Sequence, residues 1–233
     1  HGTHVAGSVL GDGQSATMGG AIRGTAPKAK LVLQSVLDRR GGLGGLPFNL
    51  NDLFKIPYDN DGARVHTNSW GAPVNGEYTQ SAAQVDEFVW KHRDCVICFA
   101  AGNEGADSDR NGVIDAGSIG SPGSAKNCIT VGATENSRSD QSKPYSLLGY
   151  AAEPIASDGW SDDPEGMVAF SSRGPTRNQR IKPDVVAPGT AILSTLSRDA
   201  RIDDFFGKSL DPLYAFLAGT SMATPLVAGC AAV

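Results

Sequence analysis

Short apolar runs alternate with segments of helical periodicity along this chain, and this alternation restricts the possible folds more than any other feature. Parallel strands that are covered on both faces read as short uninterrupted apolar runs, and crossover helices join them. The predicted strands are residues 31–36, 64–69, 96–100, 129–131 and 185–187. The predicted helices are residues 3–10, 51–60, 81–92 and a helix that begins at Ser221. We therefore expect an α/β fold in which helices pack on a mostly parallel central sheet.

The length of 233 residues suits a single domain, residues 1–233, with a loop-rich insertion over residues 137–165. A net charge of −5 without any block of like charge argues against a nucleic-acid partner. No apolar run approaches the ~20 residues that span a bilayer, so we expect no membrane segment. A monomer is expected.

Ser221 lies in the segment 219–225, Gly-Thr-Ser-Met-Ala-Thr-Pro, where a predicted helix begins. A hydroxyl at this place lies at the positive end of the helix dipole, where a developing oxyanion is stabilised. The chain opens with His-Gly-Thr-His-Val-Ala-Gly at residues 1–7, and residues 100–105, Ala-Ala-Gly-Asn-Glu-Gly, lie between the two. A histidine base, an amide donor and a serine nucleophile therefore follow one another along the chain.

In this order the three segments resemble the subtilisin-like serine proteases, the subtilases. The resemblance implies a three-layer subtilisin-like fold and the hydrolysis of peptide bonds, with proteins or peptides as the partners. It also implies that His1 is the general base, Ser221 the nucleophile, and Asn103 an oxyanion donor together with the Ser221 N–H. Other serine hydrolases fit less well, because the chain lacks their Gly-x-Ser-x-Gly and Gly-Asp-Ser-Gly-Gly segments.

The subtilase triad runs Asp, His, Ser along the chain, so its aspartate is expected upstream of residue 1. None of Asp12, Asp38 and Asp158 has the strand-end Asp-Ser/Thr-Gly setting. The last residues stop inside a helical pattern. We therefore expect an N- and C-terminally truncated segment that is nearly inactive by itself, because the aspartate orients the histidine. Larger bacterial subtilases with a C-terminal β-domain have similar segments, which here are residues 41–46, 170–175 and 182–189.

By the same resemblance, small residues at two strand ends and in one following loop form the substrate-binding surface. An extended peptide can add to the backbone there as a strand, while pockets select its side chains. The implied residues are Ser69, Trp70, Gly71, Ala101, Gly102, Gly120, Ser121 and Pro122. We expect medium or large apolar side chains before the scissile bond, with Glu104 at the rim able to admit basic ones. For Trp70, packing in the core is an equally open interpretation.

The acidic loop that follows Asn103 resembles the first part of an EF-hand calcium loop. Oxygen ligands at alternate positions can converge on one cation, with Gly112 allowing the turn. The expected ligands are Asp107, Asp109, Asn111, the carbonyl of Val113, and Asp115. Ser118 stands where an EF-hand has its bidentate glutamate, so a solvated acidic turn stays an alternative. Calcium is thus an expected structural cofactor, and no organic cofactor is expected.

The four cysteines are too few and too scattered for a disulfide scaffold in a chain of this length. Cys95 and Cys98 lie in the apolar run that leads to Ala100 and is predicted to be a strand, and side chains three residues apart in a strand point to opposite faces. We expect buried free thiols, with disulfide pairing and a metal or redox site as the alternatives. His4, one helical turn after His1, is expected to pack structurally rather than to act as a second base.

Two other functions stay open: a catalytically inactive subtilase fold that is retained for binding, and a calcium-binding structural module. The presence of nucleophile, base and oxyanion donor disfavours the first, and the second leaves those three segments unexplained. Because the subtilases that it resembles are commonly secreted, we expect a secreted, extracellular enzyme, although free cysteines suit an intracellular enzyme equally well.

Overall fold

The chain folds into eight β-strands and four α-helices, as a computed structural model of residues 1–233 shows. In chain order these are α1 (Gly2–Leu10), β1 (Asp12–Ser15), β2 (Gly20–Arg23), α2 (Leu50–Asn60), β3 (Val65–Asn68), α3 (Gln80–Lys91), β4 (Val96–Ala100), β5 (Ile129–Thr134), β6 (Val185–Pro188), β7 (Ile192–Thr195), β8 (Tyr214–Leu217) and α4 (Thr220–Ala231). None of the helices combines the length and the apolar character that a membrane crossing requires.

Strands β3 to β6 form a parallel sheet in the order β3-β4-β5-β6. The register places Asn68 of β3 beside Phe99 of β4, and Ala100 of β4 beside Val131 of β5. Because all four strands run in one direction, their carboxyl ends meet at the same edge of the sheet. The predicted parallel sheet is confirmed, and the segments that follow β3 and β4 lie next to each other.

Helices cover both faces of this sheet. On one face, Ile97 and Phe99 of β4 pack in a cluster with the apolar side chains of α2 and α3. On the other face, Val131 of β5 packs with Ala223 of α4. Helix α4 contacts all four strands, and α1 packs against α4. The arrangement therefore has three layers, with α4 across the middle of the sheet.

Capping residues set the start of two of the helices. The side chain of Asn49 accepts a hydrogen bond from Asn51 N at the start of α2, and that of Thr79 accepts one from Ala82 N at the start of α3. Such caps satisfy N–H groups that have no partner within the helix. The helices predicted at residues 51–60 and 81–92 therefore exist, and each begins one residue earlier.

The prediction of a strand at residues 31–36 is wrong, because the structure contains no strand there. A strand needs a neighbouring backbone to complete its ladder of hydrogen bonds. The side chain of Gln34 instead donates to Leu53 O and accepts from His66 Nε2, each at 3.0 Å. Leu33 is 72% exposed. An apolar run is therefore not sufficient by itself for these residues to pair as a strand of the sheet.

Two antiparallel pairs, β1 with β2 and β7 with β8, lie outside the parallel sheet. His4 of α1 connects the second pair to the helical layer, since its Nε2 donates to Ile192 O at 3.0 Å and to Ala215 O at 3.1 Å. Burial lowers the pKa of His4, which favours the neutral imidazole. His4 is thus a packed structural histidine, as predicted.

The insertion, residues 137–165, contains two short 3₁₀ helices and no strand. It still contributes to the core, because Tyr145 and Trp160 are fully buried. Tyr145 Oη donates to Glu135 Oε1 at 2.6 Å, and two backbone N–H groups of the insertion donate to the other carboxylate oxygen. These hydrogen bonds fasten the insertion to the end of β5.

All four cysteines are free, and only Cys230 is exposed. Cys95 belongs to the cluster beneath α2 and α3. Burial raises the pKa of Cys95 to about 11 and that of Cys98 to about 12, so both thiols stay protonated at neutral pH. The prediction of free thiols is confirmed, with burial for all except Cys230.

Candidate active site

A cavity of about 200 Å³ opens at the carboxyl edge of the sheet, where β3 and β4 end and α4 begins. Such crevices outside the carboxyl ends of parallel strands are the usual ligand sites of α/β folds. The cavity is lined by residues 69–72, by Ala100 and residues 102–104, and by Gly120, Thr220 and Ser221. The predicted nucleophile, the predicted oxyanion donor and part of the predicted substrate surface therefore line one cavity.

Ser221 is the second residue of α4, which has no side-chain cap at its start. Gly219 precedes the helix with φ 144°, a conformation that glycine adopts more readily than other residues. Met222 N donates back to Gly219 O at 2.9 Å, whereas the Ser221 N–H has no acceptor within the protein. That N–H is consequently free to donate to a ligand at the positive end of the helix.

Asn103 presents its amide nitrogen to the same space. Its Oδ1 accepts hydrogen bonds from Thr220 N at 2.9 Å and from Thr220 Oγ1 at 3.0 Å. Because two donors fix the oxygen, the Nδ2 group is the end left to donate. A Cβ built on Gly219 would lie 3.6 Å from both Asn103 Nδ2 and Ser221 N, so these donors flank one small space. This is the arrangement that an oxyanion requires.

The hydroxyl of Ser221 lies at the cavity and donates to Ser69 O at 3.3 Å. Ser69 Oγ in turn donates to Ser221 O at 2.8 Å, so the end of β3 and the start of α4 are joined twice. His1 lies at the N-cap of α1 and is exposed. Helices α1 and α4 are packed together, but no hydrogen bond joins the His1 imidazole to Ser221 Oγ.

The structure divides the predicted substrate-binding residues into two groups. The residues that line the cavity are Ser69, Trp70, Gly71, Gly102 and Gly120. The residues that are buried behind it are Ala101, Ser121 and Pro122. Ser121 supports the wall, because its backbone forms an antiparallel bridge with Ala72 and its Oγ bonds to Thr79 Oγ1. Trp70 serves both interpretations, since it lines the cavity and its ring lies edge-on to Phe99 at 5.3 Å.

Thr220 and Ser172 were not predicted as site residues from the sequence, yet they hold Asn103 and Glu104 in place. Thr220 fixes Asn103, and Ser172 Oγ donates to Glu104 Oε2 at 2.9 Å while accepting from Glu104 N at 3.1 Å. Glu104 lines the cavity, as its predicted rim position requires. Gly102, which precedes Asn103 in the chain, has φ 110°, and a Cβ there would lie only 2.2 Å from Glu104 Oε2. The position of Thr220 beside the predicted nucleophile is the one sequence signal for this support.

The acidic loop after Asn103 holds itself together through its own side chains. Asp107 Oδ1 accepts from Asn111 N at 2.9 Å, and Asn111 Oδ1 accepts from Val113 N at 2.8 Å. Asp115 Oδ2 accepts from Ser108 N at 2.8 Å, and hydrogen bonds from Ser108 hold the pKa of Asp115 below its usual value. The oxygen ligands suit calcium in kind, but no three His, Cys, Asp or Glu side chains gather around one point.

The sequence profile of the Subtilase family matches residues 1–233. Serine protease AprX of Bacillus subtilis (strain 168) is 33% identical over 241 residues, which cover 100% of this chain and 47% of that protein. Subtilisin of Bacillus sp. (strain TA39) is 30% identical over 234 residues, with 100% and 45% covered. The chain thus spans about half the length of these relatives.

Solved structures agree with these matches. S41 psychrophilic protease superimposes with a TM-score of 0.61 at 30% identity, over 100% of this chain and 62% of that one. The CspB protease of Clostridium perfringens gives a TM-score of 0.63 at 16% identity over 100% and 68%, a likeness of fold alone. The subtilisin-like fold and the resemblance drawn from three short segments are both confirmed: this chain belongs to the subtilase family.

Proposed function

We propose that the full-length protein is a serine endopeptidase in which Ser221 attacks the scissile peptide bond. One observation carries this proposal. The Ser221 hydroxyl, the free Ser221 N–H and Asn103 Nδ2 meet at one cavity at the start of α4. A nucleophile needs an oxyanion site beside it, and here both come from the same helix start and the neighbouring strand end.

In the proposed reaction, Ser221 Oγ leaves Ser69 O and adds to the carbonyl carbon, while the His1 imidazole takes the hydroxyl proton. The carbonyl oxygen becomes an anion that accepts from Ser221 N and Asn103 Nδ2. The imidazole then gives the proton to the leaving amine, and an acyl group stays on Ser221. Water releases that acyl group by the same steps in reverse. The expected triad aspartate would hold the histidine in the tautomer that accepts this proton.

The substrates proposed are proteins or peptides bound in extended form. Residues 69–72 and 102–104 line the cavity from the ends of neighbouring strands, so an added strand would lie along both. The cavity would take the side chain before the scissile bond. Its walls are mostly small and uncharged apart from Glu104, which supports selection of apolar side chains with basic ones admitted. Peptides varied at that residue test this selectivity through kcat/KM.

A fluorophosphonate probe tests the catalytic proposal on the full-length protein. We expect one covalent adduct at Ser221, found by mass spectrometry, and loss of peptidase activity in parallel with labelling. The Ser221→Ala variant is the control and should take no label. Full activity in the presence of the probe, together with inactivation by a zinc chelator such as phenanthroline, would assign the activity to another mechanism.

The acidic loop is proposed to bind calcium through oxygens of Asp107, Asp109, Asn111, Val113 and Asp115. An ion there would brace the segment that follows Asn103. Binding to the folded state alone would raise the melting temperature by about 5–10 °C at saturating calcium and slow autolysis. No catalytic step depends on this ion.

Thermal unfolding of the full-length protein in calcium and in EGTA measures this effect. Asp109→Ala should lose most of the calcium-dependent rise, whereas Asp61→Ala, an exposed aspartate at the end of α2, should keep it. Equal stabilisation of Asp109→Ala and the wild type would show that the loop is an acidic turn closed by its own hydrogen bonds.

We propose that the full-length enzyme is secreted, as the resemblance to the family implies, and that it is a monomer. Fractionation of a producing culture into medium and cells, followed by size-exclusion chromatography of the active fraction, tests both statements. Activity confined to the cell fraction, or eluting as an oligomer, would overturn them.

A further inference from the structure

Among the lysines and arginines of the chain only Lys182 is buried, and its side chain is 2% exposed. An ammonium group has three N–H donors, and here each of them has an acceptor. Its Nζ donates to Asp184 Oδ2 at 2.5 Å, to Thr130 Oγ1 at 2.8 Å and to Cys128 O at 3.3 Å. A buried charge is tolerated when it is paired and hydrogen-bonded in this way. Because all three donors are used, this ammonium group is a fixed structural cation.

The hydroxyl of Thr130 connects Lys182 to the loop that comprises residues 120–125. Because an ammonium group can only donate, Thr130 Oγ1 must accept from it, and the single hydroxyl proton is left for another acceptor. That acceptor is Gly123 O, at 2.6 Å. Thr130 is fully buried, and its own backbone is fixed, since Asp184 Oδ2 accepts from Thr130 N at 2.7 Å. Lys182 therefore determines the direction of the hydrogen bond that holds Gly123.

The loop 120–125 contributes to the active-site cavity. Its first residue, Gly120, lines the cavity. Ala72, another lining residue, exchanges two backbone hydrogen bonds of 2.9 Å with the loop. Gly123 packs behind the lining, because a Cβ built on it would lie 3.2 Å from both Ala100 O and Gly120 O. A shift of Gly123 would therefore change the positions of residues that line the cavity.

A second cation, from the same segment of the chain, holds the far end of the loop. Arg180 Nη2 donates to Ser124 O at 2.6 Å, and Arg180 Nη1 donates to Ala125 O at 3.3 Å. Arg180 is partly exposed, so water can replace its hydrogen bonds. Water does not reach the buried contacts of Lys182, and a buried group that loses its partner stays unpaired. The loop is thus held chiefly from its buried side, by Lys182.

We propose that Lys182 is a positioning residue of the peptidase: its buried ammonium group, acting through Thr130, holds the loop that contributes to the lining of the active-site cavity. This inference rests on the proposed peptidase function. Lys182 does not line the cavity itself, and the loop includes neither Ser221 nor Asn103. A loosened loop should therefore weaken binding of the substrate in the ground state and in the transition state alike. The expected signature is a higher KM with little change in kcat.

Two substitutions of Thr130 form a matched pair in the full-length enzyme. Valine keeps the shape of threonine but removes the hydroxyl, so Gly123 O loses its hydrogen bond, whereas serine keeps the hydroxyl. For a fluorogenic peptide with Phe before the scissile bond, Thr130→Val should raise KM roughly 10-fold, and Thr130→Ser should stay within about 3-fold of the wild type. A peptide with Ala at that position fills less of the cavity, so its KM should change less.

Chemical rescue tests the cation itself. Lys182→Ala should raise KM for the Phe peptide by roughly 10-fold or more, and it leaves space for a small amine. Ethylammonium supplies three N–H donors again and should bring KM back to within about 3-fold of the wild type. Tetramethylammonium has no N–H donor and should not restore KM at the same ionic strength.

Lys143→Ala is the matched control. Lys143 Nζ also donates to a backbone carbonyl, Phe205 O, at 2.8 Å. This lysine belongs to the insertion and makes no hydrogen bond to the loop 120–125. Its substitution removes a comparable contact, so it should leave KM at the wild-type value.

Thermal unfolding separates positioning from stability alone. Lys182→Ala is expected to lower the melting temperature by roughly 10 °C, because it leaves Asp184 without its partner. A lower melting temperature together with a wild-type KM, measured well below that temperature, would mean that Lys182 only stabilises the fold, and the proposal would be overturned. Should Lys182→Ala fail to fold, the two Thr130 variants decide, and an equal KM in both would overturn the proposal.

The amine experiment and the fluorophosphonate probe complete the set of outcomes. No recovery of Lys182→Ala in ethylammonium, or equal recovery in tetramethylammonium, would count against the ammonium group as the element that holds the loop. Absence of label at Ser221 in the wild type would contradict the peptidase function instead. A labelled wild type whose Lys182 and Thr130 variants all keep the wild-type KM contradicts the role of Lys182 alone.

Discussion

Replacement of Ser221 by alanine is expected to lower the kcat of the full-length enzyme by about 10⁶-fold, which is the loss known for subtilisin itself rather than a value derived from this structure. The physical reason is that no other hydroxyl lies where Ser221 Oγ does, beside the free N–H of its own residue and the Asn103 amide. The residual rate would come from binding and from the oxyanion donors alone. Steady-state hydrolysis of a fluorogenic peptide measures the change.

Ser139→Ala is a suitable control, because Ser139 is exposed, begins a short 3₁₀ helix and does not line the active-site cavity. Its activity should equal that of the wild type. Thermal unfolding should give similar melting temperatures for both variants, since Ser221 Oγ makes only one hydrogen bond, at 3.3 Å. Retention of more than about 1% of wild-type kcat in Ser221→Ala would contradict the assigned nucleophile.

Replacement of Asn103 by leucine is expected to lower kcat by about 10²–10³-fold while KM changes little, again a magnitude measured on subtilisin. Leucine fills a similar volume but cannot donate to an oxyanion. The effect falls on kcat because the donor acts on charge that develops only in the transition state. Separate determination of kcat and KM over a range of peptide concentrations tests this expectation.

Thr220→Val provides a graded comparison. Valine has nearly the shape of threonine, and the backbone N–H of residue 220 would still donate to Asn103 Oδ1, whereas the 3.0 Å bond from Oγ1 would be lost. The Asn103 amide would then be held by one hydrogen bond instead of two, and kcat should fall by no more than about 10-fold. A loss in Thr220→Val as large as that in Asn103→Leu would contradict this expectation and would mean that the hydrogen bond from the backbone N–H is not enough to hold the amide in position.

Most of the sheet and its helices were predictable because their sequence signals are local. Strand β4 is an uninterrupted apolar run at the predicted residues, and α3 carries an apolar stripe beside a threonine cap. Residues 31–36 have the same apolar character yet form no strand, because a strand depends on a partner backbone that the run itself does not supply. Strands β1 and β2 have no apolar run and were not predicted.

The sequence by itself determined the family, the order of the three segments and the choice of Ser221 and Asn103 as candidate site residues, because each candidate lies in a short segment whose chemistry follows from adjacent residues. Only the tertiary structure decided how those segments meet. Parallel pairing brings the ends of β3 and β4 together beneath the start of α4, and Thr220 turns the amide of Asn103. Tyr150 is 47 residues along the chain from Asn103, yet both residues line a second cavity beside the active site, where Tyr150 Oη donates to Gly105 O. Contacts of this kind depend on packing between distant segments, which no local pattern encodes.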